Sequence, residues 1–522
     1  MHLNDFDLRQ LAARDLGALS VAEKDQLLKT LLSDLLEAQE RLRANSRNSS
    51  RPPSSDPPWS GPRNPARREA AATAVPAAAA ETGSATQAEA GSSPTAAEPN
   101  PKPVAAERRK PGRQPGAKGH SRTLTGLVAG TISHVPETCA LCGQALAPTG
   151  FVARMGCYVL DLKTEPEAGL CGLQVLQHKH RYGECRCEHC GHLTRTAPQR
   201  SPAEPHWKVA LSEWGCVGPA LTSLIVCLSL RMKLSRRGIQ EFLRDWLAVT
   251  LSTSTINRCL HESGRAVEPL EQTLVEEVRQ AAHAYADETP WKEWGLLLWL
   301  WVIVTPTVSL YLIGYRAAEL IENALGSDFS GWLMSDGYIV YRRFQQRLRC
   351  WAHLLRKARG LQESLNVDAR AFGTATRALL DAAMAAVYAA REGPPGVSLA
   401  EPFRARLDAF RALCESHRAS PHEKTRALAG EFLNDWEAMW IVLSHPYLPL
   451  TNNEAERALR HWVILRRISH GTRTPEGSRA LALLASVIET CRKRNHLPWP
   501  YLAQVIAARR KGQPVPRLPV AA

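Results

Sequence analysis

Three carboxylates that lie far apart in the sequence have the residue types and surroundings of a metal-dependent active site. They are Asp287 in HAYADETPW, Asp336 in GWLMSDGY and Glu456 in TNNEAERALR. Apolar strand-like or amphipathic helical sequence surrounds each of them, and such elements can deliver the three side chains to one shared point. We therefore expect the three acids to hold two divalent metal ions and to act on phosphodiester bonds.

The chemistry gives a reason for the acids to gather. A phosphodiester is anionic, and two divalent ions held ~4 Å apart can activate the attacking oxygen and stabilise the leaving oxygen. Without metal, two carboxylates at 4 Å repel by about 4 kcal/mol at an effective dielectric of 20. Hard oxygen ligands suit Mg²⁺, so we expect two Mg²⁺ ions in the site. Taken alone, each acid is more typical of a helix cap or a salt bridge.

A change of sequence period near residue 281 predicts the sheet that carries the first two acids. AHAYADE, WGLLLWLWVIV and VSLYLIGYR are strand candidates, AAELIENAL is a helix, and GWLMSDG is a fourth, buried strand that ends on Asp336. RLRCWAH is a candidate for a fifth strand, followed by the basic helix LLRKARGL. The order is that of a ribonuclease-H-like sheet, in which the first acid lies on the first strand and the second at the end of the fourth.

The third acid follows a long helical stretch. Residues from about 361 to 445 carry Ala, Leu and Arg at helical spacing, which predicts an all-helical insertion. TNNEAERALR then starts a helix that Asn452 or Asn453 can cap, with Glu456 in its early turns. Four arginines follow, which can steer phosphate toward the acids or line a solvated face: Arg457, Arg460, Arg466 and Arg467.

The segment before the sheet has the spacing of a helix-turn-helix. RRGIQEFLRDWL predicts one amphipathic helix, AVTL a short turn, and Ser252 can cap a second helix that runs to about Glu262. Helix pairs of this kind either contact DNA or simply pack together. The residues that would contact DNA lie on the outer side of the second helix: Thr253, Ser254, Asn257 and Arg258.

Two C-x-x-C-G knuckles predict a structural zinc site between residues 131 and 200. Backbone amides in such knuckles face the thiolates, and two knuckles complete a tetrahedral site. The alternative is two reduced cysteine pairs, and no nearby acid-rich motif supports a catalytic zinc. The spacer is long for a zinc ribbon, so Cys185, His189 and His192 compete as ligands. The knuckle cysteines are Cys139, Cys142, Cys187 and Cys190.

The N-terminal part changes character twice. Residues 1–45 look helical, and a leucine face at near-heptad spacing predicts either a dimerising coiled coil or a helix packed on its own chain. Residues 46–130 have few large apolar side chains and predict a disordered linker. Its basic segment RRKPGRQPGAKGH can lie in a DNA minor groove with Arg113 inserted, or serve as a solvated tether. The leucines are Leu28, Leu31, Leu32, Leu35 and Leu42.

Composition bounds the class of protein. A length of 522 residues predicts several domains, and a formal charge of +14 favours an acidic polymer as partner, with a generally basic proteome as the alternative. The 13 unevenly spaced cysteines favour metal binding over a disulfide framework. MHLNDFDLRQ lacks the features of a signal peptide, and the apolar stretch 295–304 is too short to span a bilayer. We therefore expect a cytoplasmic protein.

Over almost its whole length, the chain resembles the insertion-sequence-66 family of bacterial DDE transposases. The motifs are NSRNSSRPPSSD, KPGRQPGAKGH, the paired knuckles, YADET, SDGY, CWAH, TNNEAERALR and PWPYL. The resemblance implies a multidomain α+β protein that cleaves the element's ends with Mg²⁺, for which Mn²⁺ can substitute, and transfers 3′-hydroxyl ends into target DNA. It implies structural support beside the site from Cys350 and His353. It implies catalytic and magnesium-binding roles for Asp287, Asp336 and Glu456.

Two positions depart from the family pattern. Thr451 stands where the family usually has an acid before the paired asparagines. Glu454 occupies a position commonly filled by a small residue, which makes it a rival of Glu456 for the third acid. Glu456 is preferred because it matches the AER element.

The resemblance also implies partners. These are the element's terminal repeats, target DNA, further copies of the chain in a homo-oligomeric active complex, and accessory proteins of the element. No membrane is implied. The resemblance also implies that the protein associates with the nucleoid. Two other functions fit the same motifs: a nuclease on this fold that does not transfer strands, and a DNA-binding regulator with an inactive catalytic domain. The presence of all three acids weighs against the regulator.

The predicted domains follow the chain. They are 1–45, the leucine-rich helix; 46–130, the linker; 131–200, the zinc module; 201–280, the DNA-binding helices; 281–360, the first catalytic part; 361–445, the helical insertion; 446–495, the last catalytic part; and 496–522, a C-terminal tail.

Overall fold

The structure is a computed structural model that describes residues 19–44, 48–49, 128–164, 172–213, 215–393 and 397–521. Most of the predicted linker, and with it Arg113 and the basic segment, lies outside the described residues. None of the described helices combines the length and apolar character that a membrane-spanning segment requires.

Strands occupy two separate parts of the chain. The described strands are β1 (Gly130–His134), β2 (Val152–Leu162), β3 (Val175–Arg186), β4 (Leu193–Arg195), β5 (Arg200–Ser201), β6 (Leu211–Ser212), β7 (His283–Glu293), β8 (Leu296–Val304), β9 (Ser309–Gly314), β10 (Trp332–Ser335) and β11 (Arg347–Arg349).

Helices precede, interrupt and follow the second group of strands. The described α-helices are α1 (Val21–Arg43), α2 (Pro219–Val226), α3 (Arg236–Leu247), α4 (Thr253–Val267), α5 (Leu270–Arg279), α6 (Ala318–Leu325), α7 (Trp351–Gln362), α8 (Val367–Glu392), α9 (Ala400–Ser416), α10 (Glu423–Asn434), α11 (Trp436–Ser444), α12 (Asn453–Ser469), α13 (Pro475–Lys493) and α14 (Pro498–Arg510).

Helix α1 exposes its leucine face. The carboxylate of Glu40, near its C-terminal end, accepts hydrogen bonds from Ser364 and Lys424 of the chain's own body. The leucines at 28, 31, 32, 35 and 42 are 37–87% exposed. The leucine face therefore does not pack on the described residues, and the dimerising coiled coil remains a prediction.

The cysteine-rich part forms a small sheet. Strand β1 runs parallel to β3, while β2 and β4 pair with β3 in antiparallel fashion. Its core is small: buried Cys139, Leu146, Cys185 and Cys187 pack with Val135 and Phe151. So small an apolar core supplies little hydrophobic stabilisation on its own.

Helices α3 and α4 match the helix pair that the sequence predicts, apart from one boundary. Ser235 and Ser252 cap them by accepting hydrogen bonds from backbone N–H groups three residues ahead, and Ala248, the C-cap of α3, lies in the left-handed region. Helix α4 runs to Val267, beyond the predicted end at Glu262. Its last turns are buried because they pack against α13, where a Cβ on Gly264 would lie 2.5 Å from that of Ala480.

The larger sheet has the strand order β11-β10-β7-β8-β9. Strands β7, β8 and β9 form an antiparallel meander, and β10 lies parallel to both β7 and β11. The edge strand β9 is covered by α13, because Ser486 and Thr490 accept hydrogen bonds from the backbone N–H groups of Tyr311 and Ser309 at 2.8 and 3.1 Å. The side chains of the helix thereby satisfy amides that an open edge would leave unpaired.

The predicted fifth strand is shorter than RLRCWAH. Only Arg347–Arg349 forms a strand, and Cys350 is the N-cap of α7, which begins at Trp351. The backbone N–H of Cys350 still donates to Ser335 on β10, but that of Trp351 donates to Leu450. The CWAH segment therefore begins a helix at the edge of the sheet.

The described residues between 361 and 445 form helices and loops, with an aromatic core that includes Phe372, Phe410, Phe432 and Trp440. This helical part is tied to the sheet through Asp435. The Asp435 carboxylate accepts hydrogen bonds from Arg347, at 2.7 Å, and from Arg349 on β11. Burial alone would raise the pKa of Asp435, but hydrogen bonding and the charges of these arginines lower it overall.

Replacing Asp435 should destabilise the fold strongly. Asp435 and Arg349 are 2% and 3% exposed, so Asp435→Ala leaves a buried guanidinium short of a partner and should cost about 3–5 kcal/mol. Because the pKa of Asp435 is depressed, its contribution is complete above the ordinary aspartate pKa of about 3.9 and declines as the pH falls below that value. Urea unfolding at neutral pH measures the loss. Asp381→Ala, which removes an exposed helical ion pair with Arg377, should change stability by only about 0.5 kcal/mol.

Candidate functional site

Asp287 and Asp336 lie level with each other on neighbouring parallel strands. In the register of β7 and β10, Tyr285 is opposite Met334, so each acid lies two residues beyond that pair. Neighbouring strands are about 4.8 Å apart. Asp336 is the first residue after β10, and its Oδ1 accepts a hydrogen bond from the backbone N–H of Tyr338 at 2.9 Å. The strand pairing therefore brings two of the three predicted acids together.

The turn after Asp336 leaves no room for a side chain at Gly337. A Cβ there would lie 2.6 Å from Nη2 of Arg349 and 2.9 Å from Oε1 of Glu431. The buried Arg349 network, which anchors the helical part, thus also supports the loop that holds the second acid.

Glu456 lies in the first turns of α12, and Asn452 connects this helix to the sheet. The Asn452 side chain does not cap the helix as predicted. It donates instead to the backbone oxygen of Ala286, next to Asp287, at 2.8 Å. Its backbone N–H points to the sulfur of Cys350 at 3.2 Å. Asn452 therefore holds the start of α12 against β7.

The pKa values of Asp287 and Glu456 respond to burial and to the charges around them. Burial raises the pKa of Asp287 well above its ordinary value, and the negative charges of Asp336, Glu288 and Glu456 raise it further. Burial also raises the pKa of Glu456, although Arg356, whose Nη2 lies 3.4 Å from its Oε1, acts in the opposite direction. Such a cluster, in which negative charge is poorly compensated, is suited to divalent cations and hard oxygen coordination.

Glu454 faces other partners. Its carboxylate lies 2.9 Å from Nη1 of Arg457 and 3.8 Å from Nζ of Lys493. Glu456, in contrast, contributes to the raised pKa of Asp287. The orientation of the two side chains favours Glu456 as the third member of the acidic cluster.

A fourth acid, Glu288, adjoins the cluster and is not singled out by the sequence patterns. Its side chain is almost fully buried and accepts hydrogen bonds of 2.7 Å from the Tyr341 hydroxyl and from Arg316. The Arg316 guanidinium stacks on Trp299 and Tyr338, at 4.1 and 3.8 Å from the ring centroids. The available signal was a second acid directly after Asp287 in the same predicted strand.

Cys350 and His353 of CWAH lie beside Glu456. Burial raises the pKa of the Cys350 thiol, and the backbone N–H groups of Asn452, His353 and Ala352 act in the opposite direction. Burial, together with the charges of Arg356, Lys357 and Arg349, lowers the pKa of His353 to about 3. The imidazole is therefore neutral at physiological pH.

The four knuckle cysteines form the second cluster. Cys139 and Cys190 have their sulfurs 3.6 Å apart, as have Cys142 and Cys187, and all four thiols are free. A tetrahedral zinc site with Zn–S bonds of about 2.3 Å requires sulfurs about 3.8 Å apart. The backbone N–H of Cys142 is the main cause that lowers the pKa of Cys139 to about 6. The donor set and spacing fit Zn²⁺.

The knuckles have nearly the same backbone geometry. Gly143 and Gly191 have φ angles of 73° and 72°, and each donates its N–H to the oxygen of the first cysteine of its knuckle at 2.9 Å. The competing ligands Cys185, His189 and His192 are not part of the group in which all ligand atoms lie within 4.8 Å.

Among the described residues, two groups of at least three Cys, His or acidic side chains have ligand atoms that all lie within 4.8 Å of one another. One is the four-cysteine cluster, and the other comprises Cys350, His353 and Glu456. Asp287 and Asp336 do not join Glu456 in such a group. The acidic cluster is therefore more open than the cysteine cluster.

The predicted DNA-contact face of α4 is largely open. Ser254, Asn257 and Arg258 are exposed and Thr253 is half-buried. Asn257 accepts a hydrogen bond from Arg236 of α3 at 3.3 Å. The helix pair is also fixed to the body, because Arg479 of α13 contacts Glu268 and Glu271 just after α4. Helix α4 therefore packs on the body with its inner face and leaves its outer face exposed, so its packing and a contact with DNA are compatible.

Comparisons with known proteins assign the part of the chain that contains the helix pair and the acidic cluster to a protein family. Residues 215–480, just over half of the chain, match the family described as "Transposase IS66 family". Residues 12–90 match a family of unknown function, DUF6444. The uncharacterized protein y4qI of Sinorhizobium fredii (strain NBRC 101917 / NGR234) is 25% identical over an alignment of 310 residues, and the match covers 52% of this chain and 56% of that protein. The chain therefore spans little more than half the length of this curated relative.

Proposed function

The chain belongs to the IS66 transposase family, and on this premise we propose that it is a DDE transposase of a bacterial insertion sequence. It would bind the ends of its element, cleave phosphodiester bonds there and transfer the 3′-hydroxyl ends into target DNA. The observation that carries this proposal is that Asp336 lies level with Asp287 on the neighbouring strand of the five-stranded sheet, while the negative charges of Asp336 and Glu456 both raise the pKa of Asp287.

The proposed catalytic domain is ribonuclease-H-like. Support comes from the strand order β11-β10-β7-β8-β9, with the first acid on the first strand of this sheet and the second directly after the fourth. A long helical stretch then separates the second acid from the third, which is the arrangement that the sequence predicts.

The acidic side chains would hold two Mg²⁺ ions, with Mn²⁺ as a substitute. When bound, these ions supply the charge that activates the attacking oxygen and stabilises the leaving oxygen. The protein's part is positioning: Asn452 holds the helix of Glu456 against β7, and Gly337 lets the Asp336 loop lie close to Arg349. Arg316 and Tyr341 hold Glu288 in place beside Asp287.

The outer face of α4 is the proposed site of contact with the element's ends. The double variant Asn257→Ala, Arg258→Ala should bind the terminal repeats more weakly. Each lost base contact should cost about 1–3 kcal/mol of binding free energy. Each lost phosphate contact should reduce the slope of log affinity against log salt concentration by about 1. Fluorescence anisotropy over a range of salt concentrations measures both quantities. Arg404→Ala removes one exposed arginine from α9 and should leave both unchanged. Unaltered binding by the double variant would exclude this face.

The cysteine cluster is proposed to hold one structural Zn²⁺.

The proposed partners are DNA and further copies of the chain. The terminal repeats and target DNA would meet in a homo-oligomeric complex, with accessory proteins of the element as further members. Association with the nucleoid follows from this DNA-bound role.

A strand-transfer assay tests the proposal. Purified protein is incubated with labelled element ends and a target plasmid, with Mg²⁺ or with chelator, alongside Asp336→Ala. Magnesium-dependent joined product that is absent with the variant is the expected result. Cleavage without joining would favour a ribonuclease-H-like nuclease, and binding without cleavage, even with accessory proteins added, would favour a DNA-binding regulator.

A further inference from the structure

The second ligand group joins two elements of the active-site region. Cys350 is the N-cap of α7, His353 lies in its first turn, and Glu456 lies in the first turns of α12. One ligand atom from each lies within 4.8 Å of the others. The group therefore links the CWAH segment with the proposed third acid.

An atom of His353 that has no partner independently favours a ligand site at this position. Its Nδ1 atom is buried and has no hydrogen-bond partner. The nearest carboxylate oxygen, Oε1 of Glu456, is 3.8 Å away, which is too long for a hydrogen bond. A buried polar atom without a partner costs about 1–3 kcal/mol. A bound ion would supply the partner that the imidazole lacks.

The distances suit a tetrahedral ion after a small adjustment. Bond lengths of about 2.0–2.2 Å from zinc to histidine nitrogen and carboxylate oxygen place those two atoms about 3.4 Å apart. The observed separation of 3.8 Å exceeds this value by a few tenths of an ångström. The Cys350 sulfur already accepts the backbone N–H of Asn452, at 3.2 Å, as thiolate ligands in zinc knuckles accept amides.

The donor set selects the class of metal. One thiolate, one imidazole and one carboxylate suit Zn²⁺ or a similar transition metal, whereas Mg²⁺ prefers oxygen donors throughout. Arg356 opposes binding, because its guanidinium lies 3.4 Å from the same Glu456 oxygen. Lys357 and Arg349 add positive charge near His353. Arg356 must therefore release the carboxylate when an ion binds.

We infer that Cys350, His353 and Glu456 bind one transition-metal ion of the Zn²⁺ class, with a fourth position open to water. This site is separate from the four-cysteine cluster and goes beyond the proposed function. Because Glu456 also belongs to the proposed Mg²⁺ site, the bound ion ties the third acid to CWAH.

Metal content of the full-length chain tests the inference. Protein equilibrated with Zn²⁺ in excess Mg²⁺ and then desalted should contain two Zn²⁺ per chain by mass spectrometry. Cys350→Ser, His353→Gln and Glu456→Gln should each retain one, since loss of a ligand weakens binding by at least about 10–100-fold. Circular dichroism and the zinc ion retained by the cysteine cluster show whether the His353 and Glu456 variants remain folded. Both of these side chains are partly exposed in the wild-type chain.

Two control variants separate this site from its neighbours. Cys414→Ser removes a buried thiol of the helical part, and Asp287→Asn alters the acidic cluster without touching the three ligands. Both should keep two Zn²⁺. The inference is wrong if the wild-type chain contains only one Zn²⁺. It is also wrong if the variants of the three ligands still contain two Zn²⁺, or if Asp287→Asn contains only one. No DNA is present in this experiment, so its result is independent of the strand-transfer assay.

Discussion

Glu456→Gln should abolish magnesium-dependent strand transfer, whereas Glu454→Gln should retain most of it. The Glu456 carboxylate interacts with Asp287 and lies in the acidic cluster, while Glu454 pairs with Arg457 and Lys493. Bound metal supplies several kcal/mol of transition-state stabilisation, and each 1.36 kcal/mol corresponds to a factor of ten. Loss of one metal ligand should therefore lower the rate by about 10³-fold or more.

The comparison is made between two substitutions of equal size and charge. Rates of end cleavage and of joining are measured at saturating DNA, and binding to the terminal repeats is measured separately for both variants. Equal binding with a large difference in rate is the expected pattern. If Glu454→Gln were the inactive variant, the assignment of the third acid would have to be exchanged.

Cys187→Ser should abolish binding of the proposed structural zinc and unfold the small sheet of β1–β4. Cys187 is 3% exposed, and its sulfur lies 3.6 Å from that of Cys142. The small core around the knuckles consists largely of cysteines, because Cys139, Cys185 and Cys187 are buried there beside Leu146. Structural zinc contributes about 10–16 kcal/mol of apparent binding free energy in small zinc modules, so folding of this part should depend on the ion.

Limited proteolysis and zinc analysis measure this effect. We expect rapid cleavage within residues 130–195 in Cys187→Ser and in chelator-treated protein, while the five-stranded sheet, which has its own core, remains protected. Cys157→Ser is the matched control because Cys157 is a free thiol of β2 outside the cluster. A zinc-free variant whose small sheet stays protected would contradict a structural role for the ion.

Local patterns in the sequence determined much of the secondary structure. The serine caps and the turn at Ala248 define α3 and the start of α4, and the continuous apolar run LLLWLWVIV, with its Trp, Val and Ile residues, favours a buried strand. The two knuckles likewise identify the cysteines that cluster. These features depend on hydrogen bonds and side-chain preferences within a few residues, so they can be derived from a short window of sequence.

The boundary errors arose where a distant part of the chain intervenes. Helix α4 continues past Glu262 because its last turns are buried against α13, and β11 ends at Arg349 because Trp351 pairs with Leu450. Asn452 has the side chain of a helix cap, yet donates to Ala286 on the sheet. Tertiary hydrogen bonds overrode the local preference in each case.

Three of the four clustered acids were predicted from the sequence, but their relative placement was decided by tertiary structure. Residues Glu454 and Glu456 are two positions apart, and a helix turns about 100° per residue, so their side chains point in nearly opposite directions. Which of them faces Asp287 depends on how α12 is held, and Asn452 supplies that contact 166 residues from Ala286. The partners of Glu288 are similarly remote. Motif spacing contains no information about such contacts, because they depend on how separate elements pack in three dimensions.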